Sequence, residues 1–207
     1  MKKIILSAIV LLGMGYTAQA QKATYGIKAG VNFATWGGDV DDAKSRTGFH
    51  AGFVAEFNAG QNFAIQPELL YSQQGVRFRE TGSAFGVDYD SEAKLKFDYL
   101  TLPVLFKFYV AEGFNIYAGP QVGYLLNAET DGRFSFGPVD GSSSSDDDDI
   151  RDSANDLDFG LTGGIGYDSP TGIFVQARYY AGLSNVNKDG DTDIKNNVFQ
   201  LSLGYKF

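Results

Sequence analysis

Apolar residues recur at every second position in eight separate segments of the chain, and a period of two is typical of β-strands. In the first segment, Tyr25, Ile27 and Val31 alternate with Lys28 and Asn32. On one face of the segments 39 of 42 residues are apolar and none is charged, whereas only 8 of 34 residues on the other face are apolar. The sequence therefore predicts eight strands with one apolar face each, in residues 25–33, 49–57, 63–71, 100–108, 114–126, 159–167, 173–181 and 199–207.

The links between these segments alternate between short and long. Short links with turn residues cover 58–62, 111–113 and 168–171, and long links cover 36–47, 73–94, 128–156 and 184–196. This alternation is typical of strands that run up and down in order, with the short turns gathered at one end. We therefore expect an all-β fold, an eight-stranded antiparallel up-and-down barrel with both termini at the short-turn end.

The size of the side chains indicates which face of this barrel points inward. Nine glycines lie on the polar face, whereas the other face carries mostly Phe, Leu, Ile, Val and Tyr. Because the interior of an eight-stranded barrel is just wide enough for its own side chains, the small and polar face fits inside. Aromatic residues near both ends of the segments are typical of strands that cross the two interfaces of a bilayer. A soluble barrel would bury the large apolar side chains instead, so the pattern predicts a transmembrane β-barrel.

Composition and charge narrow the possible functions. The chain has no cysteine, which excludes disulfides and thiolate metal sites. Its 25 acidic residues outnumber its 17 Lys and Arg, which argues against a nucleic-acid-binding surface. No apolar run reaches the roughly 18 residues of a transmembrane helix. The negative charge is concentrated in the long links, and the link 128–156 alone carries −7, so we expect acidic extracellular loops.

The first 20 residues have the features of a secretory signal peptide. Lys2 and Lys3 precede a short apolar run at 4–12, and Ala18 and Ala20 form a small-x-small cleavage pattern. The apolar run is too short to span a bilayer. The predicted organisation is therefore a signal peptide in residues 1–20 and an outer-membrane β-barrel domain in residues 21–207.

Several charged residues fall on the face that is expected to point into the barrel, and five of them are candidates for a functional group. They could line a narrow pore for small solutes, or they could neutralise one another as an interior ion-pair network, which buried charges require. The narrow interior of an eight-stranded barrel favours the ion-pair network. The five residues are Lys28, Glu56, Glu68, Lys107 and Arg178.

His50 is the only histidine of the chain. A catalytic histidine would need a nucleophile beside it, as in an outer-membrane lipid hydrolase. The alternation places His50 on the inner face, which favours a hydrogen-bonded interior residue over a catalytic one. No catalytic residue and no cofactor is predicted.

Two acidic stretches are weak candidates for a Ca²⁺ or Mg²⁺ site, because these ions prefer oxygen ligands. Neither stretch has the ligand spacing of a complete EF-hand loop, and a solvated acidic loop explains them as well. No metal site is therefore predicted from the candidates, which are Asp146, Asp147, Asp148, Asp149, Asp189, Asp191 and Asp193.

Five segments spread along the chain carry a family resemblance: QPELLYSQQG (66–75), YLTLPVLFK (99–107), IYAGPQVGYLL (116–126), DFGLTGGIGY (158–167) and RYYAGLSN (178–185). Together with the alternation, they resemble the small eight-stranded outer-membrane barrels known as porin-family or PorT-like proteins, which have an OmpA/OmpX-like architecture. The resemblance covers the whole chain after the predicted signal peptide. It implies residence in the cell outer membrane of a Gram-negative bacterium, with periplasmic termini and no defined reaction.

The resemblance also implies partners. The last strand, from Phe199 to Phe207, resembles the signal that the barrel-assembly machinery reads during biogenesis. The charge concentrated in the loops, in contrast, suggests lipopolysaccharide, ions or an extracellular molecule as partners beside outer-membrane lipid, and the acidic balance argues against nucleic acid. The expected function is a non-enzymatic barrel with a structural or surface-interaction role. A narrow pore for small solutes and a lipid hydrolase that uses His50 remain as alternatives.

Overall fold

The computed structural model describes residues 23–38, 43–84, 86–136, 138–146, 154–188 and 193–207. The predicted signal peptide lies outside these ranges. The described residues form nine β-strands: β1 (Ala23–Gly38), β2 (Lys44–Asn58), β3 (Phe63–Ala84), β4 (Val87–Tyr109), β5 (Phe114–Phe136), β6 (Val139–Asp146), β7 (Leu157–Asp168), β8 (Ile173–Gly182) and β9 (Ile194–Lys206).

Eight of the nine strands close into one antiparallel barrel. β1 pairs with both β2 and β9, so the first and last strands join. The ring continues from β2 through β3, β4, β5, β7 and β8 to β9. The short turns after β2, β4 and β7 lie at one end, and two of them end on Gly113 and Gly172 with φ of 73° and 89°, values that favour glycine. The predicted eight-stranded up-and-down barrel is confirmed.

The apolar face of the strands points away from the barrel axis, as the alternation predicts. Phe53, Ile165 and Leu203 are 67%, 63% and 60% exposed, whereas Gln66 and Lys107 are fully buried. A water-soluble barrel shows the opposite distribution, because large apolar side chains are normally buried. The outer wall is therefore a continuous apolar belt of the kind that contacts lipid. In the described ranges no helix is long and apolar enough to cross a membrane.

Two of the predicted long loops are largely strand, which corrects the sequence-based prediction. Most of the predicted loop 73–94 is a β-hairpin, since β3 continues to Ala84 and β4 begins at Val87. Much of the predicted loop 128–156 is also a hairpin, because β5 continues to Phe136 and β6 pairs back onto it. β6 is therefore the strand that lies outside the ring of eight, and it extends the wall of the barrel.

The polarity of the alternation reverses in these extensions. Val76 and Phe97 are apolar and buried, whereas their neighbours Arg77 and Lys96 lie on the outer face. A strand with apolar residues inside and charged residues outside is typical of a sheet that faces water on its outer side. We call this part of the structure the raised sheet; it comprises residues 76–84, 87–97, 128–136 and 139–146.

Candidate functional site: the barrel interior and the raised sheet

A buried ion cluster lies at the centre of the barrel. Lys28 Nζ donates to both carboxylate oxygens of Glu68 at 2.9 Å, and Arg178 Nη1 donates to Glu68 Oε2 at 2.7 Å. The three side chains are at most 1% exposed. Gly164 leaves room for the arginine, because a Cβ at this position would lie 2.8 Å from the Arg178 Cβ. The interior thus holds one carboxylate between two cations.

A second ion cluster lies near the short-turn end. Lys107 and Lys206 each contact Glu56 Oε2 at 2.7 Å, and they contact Asp168 Oδ2 at 2.7 and 2.9 Å. The Tyr109 hydroxyl lies 2.9 Å from Glu56 Oε1 and 2.6 Å from Asp168 Oδ2, so its one proton is shared between the same two carboxylates. Two ammonium groups and two carboxylates leave this cluster without net charge. Sequence reasoning missed Lys206 and Asp168, although the alternation places Lys206 on the inner face.

Amide and hydroxyl side chains link the two clusters and continue toward the far end of the barrel. Gln66 accepts a hydrogen bond from Lys107 at 3.1 Å and donates one to Glu68 at 2.7 Å. From the central cluster, the chain of hydrogen bonds runs through Arg178, Gln200, Asn32, Ser72, Gln74, Asn196 and Asp158. These bonds pair buried polar groups that would otherwise be costly to remove from water.

His50 lies between a serine and an asparagine. Its Nε2 is 2.8 Å from Ser202 Oγ, and its Nδ1 is 2.7 Å from Asn32 Oδ1. A serine, a histidine and an orienting polar residue in this order also form the catalytic group of many hydrolases. Here His50 and Asn32 have no exposed surface and Ser202 is 7% exposed, so the barrel wall separates the serine from lipid. The geometry fits an interior hydrogen-bonded chain better than a hydrolase site.

An apolar cluster fills the end of the barrel opposite the short turns. Phe97, Tyr99, Leu125, Ala128 and Ala154 pack together there, and each is at most 4% exposed. Ala154 belongs to the connection that enters β7, so part of this connection is folded onto the interior.

Two connecting segments are tied together beside this apolar cluster. The backbone N–H of Asn155 donates to the Val186 carbonyl at 2.8 Å, and its side-chain Nδ2 donates to the carbonyls of Asn185 and Asn187 at 2.7 and 3.2 Å. Val186 N–H in turn donates to the Ile194 carbonyl at 2.8 Å. The segments before β7 and before β9 therefore form one hydrogen-bonded unit at the far end of the barrel.

The outer face of the raised sheet carries charges of both signs in close pairs. Arg79 Nε and Nη2 donate to the two carboxylate oxygens of Asp90 at 3.0 and 2.6 Å. This hydrogen-bonded pair lowers the pKa of the Asp90 carboxyl below its ordinary value of 3.8. Lys96 Nζ lies 2.5 Å from Asp131 Oδ2, and the hydrogen bond raises the pKa of the lysine. The charges of Arg79 and Lys96 are therefore compensated by carboxylates of the raised sheet itself.

The aspartates considered as metal ligands lie mostly beyond the described residues. Asp193 pairs with Lys195 at 2.8 Å, and Asp146 ends β6. Asp147, Asp148, Asp149, Asp189 and Asp191 fall outside the described ranges. In the part of the chain that the structure describes, no group of three or more His, Cys, Asp or Glu residues could hold a metal ion.

The chain matches one family model and several solved structures. The family model, described as outer membrane protein beta-barrel domain, matches residues 18–188. Ail, the attachment invasion locus protein of Yersinia pestis, is 15% identical over 89% of this chain and 99% of its own, with a TM-score of 0.47. Neisserial surface protein A is 14% identical over 89% and 99%, with a TM-score of 0.44. OprG of Pseudomonas aeruginosa is 14% identical over 90% and 97%, with a TM-score of 0.37. No curated protein sequence matches the chain.

Proposed function

The chain belongs to the outer membrane protein beta-barrel domain family, and from this premise we propose that it is a closed, non-enzymatic barrel that binds molecules of the saccharide layer outside the lipid. The family indicates residence in the outer membrane of a Gram-negative bacterium. In such barrels the short turns are periplasmic and the longer connections are extracellular. We therefore place the short turns and both termini in the periplasm, and the raised sheet at the cell surface.

The filled interior supports a barrel that does not conduct. The two ion clusters cross the lower and middle interior, and Lys107, Glu68 and Arg178 are at most 1% exposed. The apolar cluster around Phe97 and Leu125 occupies the far end. An eight-stranded barrel leaves little space beyond its own side chains. These contacts favour the interior ion-pair network over the narrow solute pore.

The raised sheet is the observation that carries the surface-interaction role. On the outer face of β4, the apolar side chains end at Leu100, and Lys94 lies six residues further out. At about 3.3 Å per residue and a tilt of about 45°, Lys94 stands roughly 14 Å above Leu100. The headgroup layer on each side of a bilayer is only about 5–8 Å thick. The charged outer face therefore lies at the height of the saccharides of lipopolysaccharide, which we propose as its first partner, with an extracellular molecule as the second.

Trimming the raised sheet tests this proposal. Val76 and Leu95 are direct cross-strand partners, so residues 77–94 can be replaced by a two-residue turn while the barrel stays closed. The wild-type and trimmed barrels, each in phosphatidylcholine nanodiscs, are passed over immobilised lipopolysaccharide. We expect the trimmed barrel to bind at least about tenfold more weakly, which corresponds to about 1.4 kcal/mol. Equal binding by two barrels that both show the heat-modifiable mobility of a folded barrel would contradict the proposal.

A further inference from the structure

Three cations of the raised sheet surround a single carboxylate, and two of them contact it. The Glu92 carboxylate lies 3.6 Å from Arg77 Nη1 and 3.4 Å from Lys94 Nζ. Arg133 is the cross-strand partner of Glu92, and no carboxylate of the described ranges lies within 4 Å of its guanidinium. We call Arg77, Lys94 and Arg133 the cation cluster. The cluster carries three positive charges, and Glu92 neutralises one of them.

The neighbouring cations of the same sheet form ion pairs with carboxylates of their own. Arg79 makes a two-pronged contact with Asp90, and Lys96 contacts Asp131 and, at 3.5 Å, Glu129. In contrast, no side-chain hydrogen bond is formed by Arg77, Lys94 or Arg133 within the described part of the chain. The donors of the cation cluster are therefore available to an added acceptor.

Two adjoining depressions give such an acceptor a place to bind. One has a volume of about 330 Å³ and is lined by the cation cluster, Arg79 and Ser135, together with the carboxylates of Asp90 and Glu92. The other has a volume of about 210 Å³ and is lined by Lys94 and Arg133, by the carboxylates of Glu92 and Asp131, and by the β6 serines Ser142, Ser143 and Ser144. The two depressions share three lining residues, Glu92, Lys94 and Arg133. A ligand that occupies both depressions would therefore contact these side chains from both sides.

We propose that the cation cluster binds a phosphate group carried by a saccharide. Guanidinium groups match phosphate oxygens in a two-pronged geometry, and a lysine adds a point charge. Glu92 accepts hydrogen bonds from sugar hydroxyl groups, and the β6 serine hydroxyls donate or accept them. This inference rests on the proposed function and names the chemistry that the raised sheet recognises. The phosphorylated saccharide is either part of a glycolipid in the same membrane or a soluble phosphosugar.

A pair of matched double variants tests the site. Arg77→Gln/Arg133→Gln removes two charges from the cation cluster, and Lys44→Gln/Lys195→Gln removes two charges whose side chains line neither depression. The probes are N-acetylglucosamine 1-phosphate and N-acetylglucosamine, titrated onto the full barrel in phosphatidylcholine nanodiscs. We expect the phosphorylated sugar alone to bind, with a loss of about tenfold or more in the first variant and less than about twofold in the second.

A second arm separates the two sources of the phosphate. The side-chain NMR signals of Arg77 and Arg133 are compared in nanodiscs that contain lipopolysaccharide or its dephosphorylated form. A phosphate-dependent shift in this arm alone identifies the membrane glycolipid, and binding in both arms identifies phosphosugars in general. Both outcomes support the site.

Three outcomes overturn the site: equal weakening in the two double variants, equal binding of the phosphorylated and unphosphorylated sugar, or no phosphate-dependent effect in either arm. Both variants must show the heat-modifiable mobility of the wild type. If the trimmed barrel loses lipopolysaccharide binding while the cation-cluster variant keeps it, the proposed function stands and this site is wrong.

Discussion

Lys28 and Glu68 form a two-pronged ion pair across the middle of the barrel, with Nζ 2.9 Å from both carboxylate oxygens. Arg178 reaches the same carboxylate from β8 at 2.7 Å. One acid therefore compensates two buried cations that lie on different strands. Because an uncompensated buried charge is far costlier than a lost ion pair, the acid and the lysine are not equivalent in this cluster.

The first prediction follows from this inequality. Glu68→Gln leaves two cations facing a neutral side chain and should lower the free energy of unfolding by about 3 kcal/mol or more. Lys28→Met leaves the Glu68–Arg178 pair intact and should cost clearly less. Urea unfolding in lipid vesicles, followed by Trp36 fluorescence, measures both. A larger loss in Lys28→Met than in Glu68→Gln would contradict this assignment of the cluster.

The second prediction concerns the serine–histidine–asparagine chain. Because Ser202 is enclosed by the barrel wall, wild-type protein in micelles should not react with a fluorophosphonate probe. His50→Ala should destabilise the barrel by about 1–3 kcal/mol, since Asn32 and Ser202 each lose a buried partner. Labelling of wild type that disappears in both Ser202→Ala and His50→Ala would revive the lipid hydrolase.

The sequence predicted the barrel because lipid demands an unbroken apolar face, and that face is visible as a period of two. The same alternation placed Lys28, Glu68 and Arg178 on the inner face. Which of them touch could not be predicted, because contacts across the interior depend on strand register and on the direction of long side chains. The raised sheet was missed because its outer face is charged. The sequence did contain a sign of it, because the inner face of β3 changes from polar to apolar along the strand. Ser72 and Gln74 on that face are followed by Val76 and Phe78, while charged residues take the outer face.

The third prediction concerns pH. Arg79 lowers the pKa of Asp90 in the folded protein. The stability that the pair contributes should therefore be fully present above the ordinary pKa of an aspartate, about 3.9, and should be lost as the pH falls through the lower pKa of the folded state. A ¹³C NMR titration of the Asp90 carboxyl should therefore give a midpoint below 3.8 in wild type. Arg79→Gln should raise that midpoint. Identical midpoints in the two proteins would show that the pair does not form.

The fourth prediction is that the wild-type barrel does not conduct. Lys107 is fully buried between Glu56 and Asp168, and Arg178 lies on Glu68, so ions would have to break paired contacts to pass. Planar bilayers that contain the purified barrel should show no steady conductance steps. Regular steps in wild type that change with Lys107→Ala or Arg178→Ala would instead support the narrow pore.

The fifth prediction concerns assembly through the last strand. Phe207 N–H donates to the Tyr25 carbonyl at 2.8 Å, while its ring is 73% exposed on the outer face. A ring with so few contacts contributes little to the folded barrel, so we propose that its role is recognition by the barrel-assembly machinery. Phe207→Ala should reduce the heat-modifiable protein in the outer-membrane fraction several-fold, yet the purified variant should refold in micelles like wild type. Leu203→Ala removes another exposed apolar side chain from β9 and is the control. Equal assembly of the two variants in cells, or failure of purified Phe207→Ala to refold, would contradict this role.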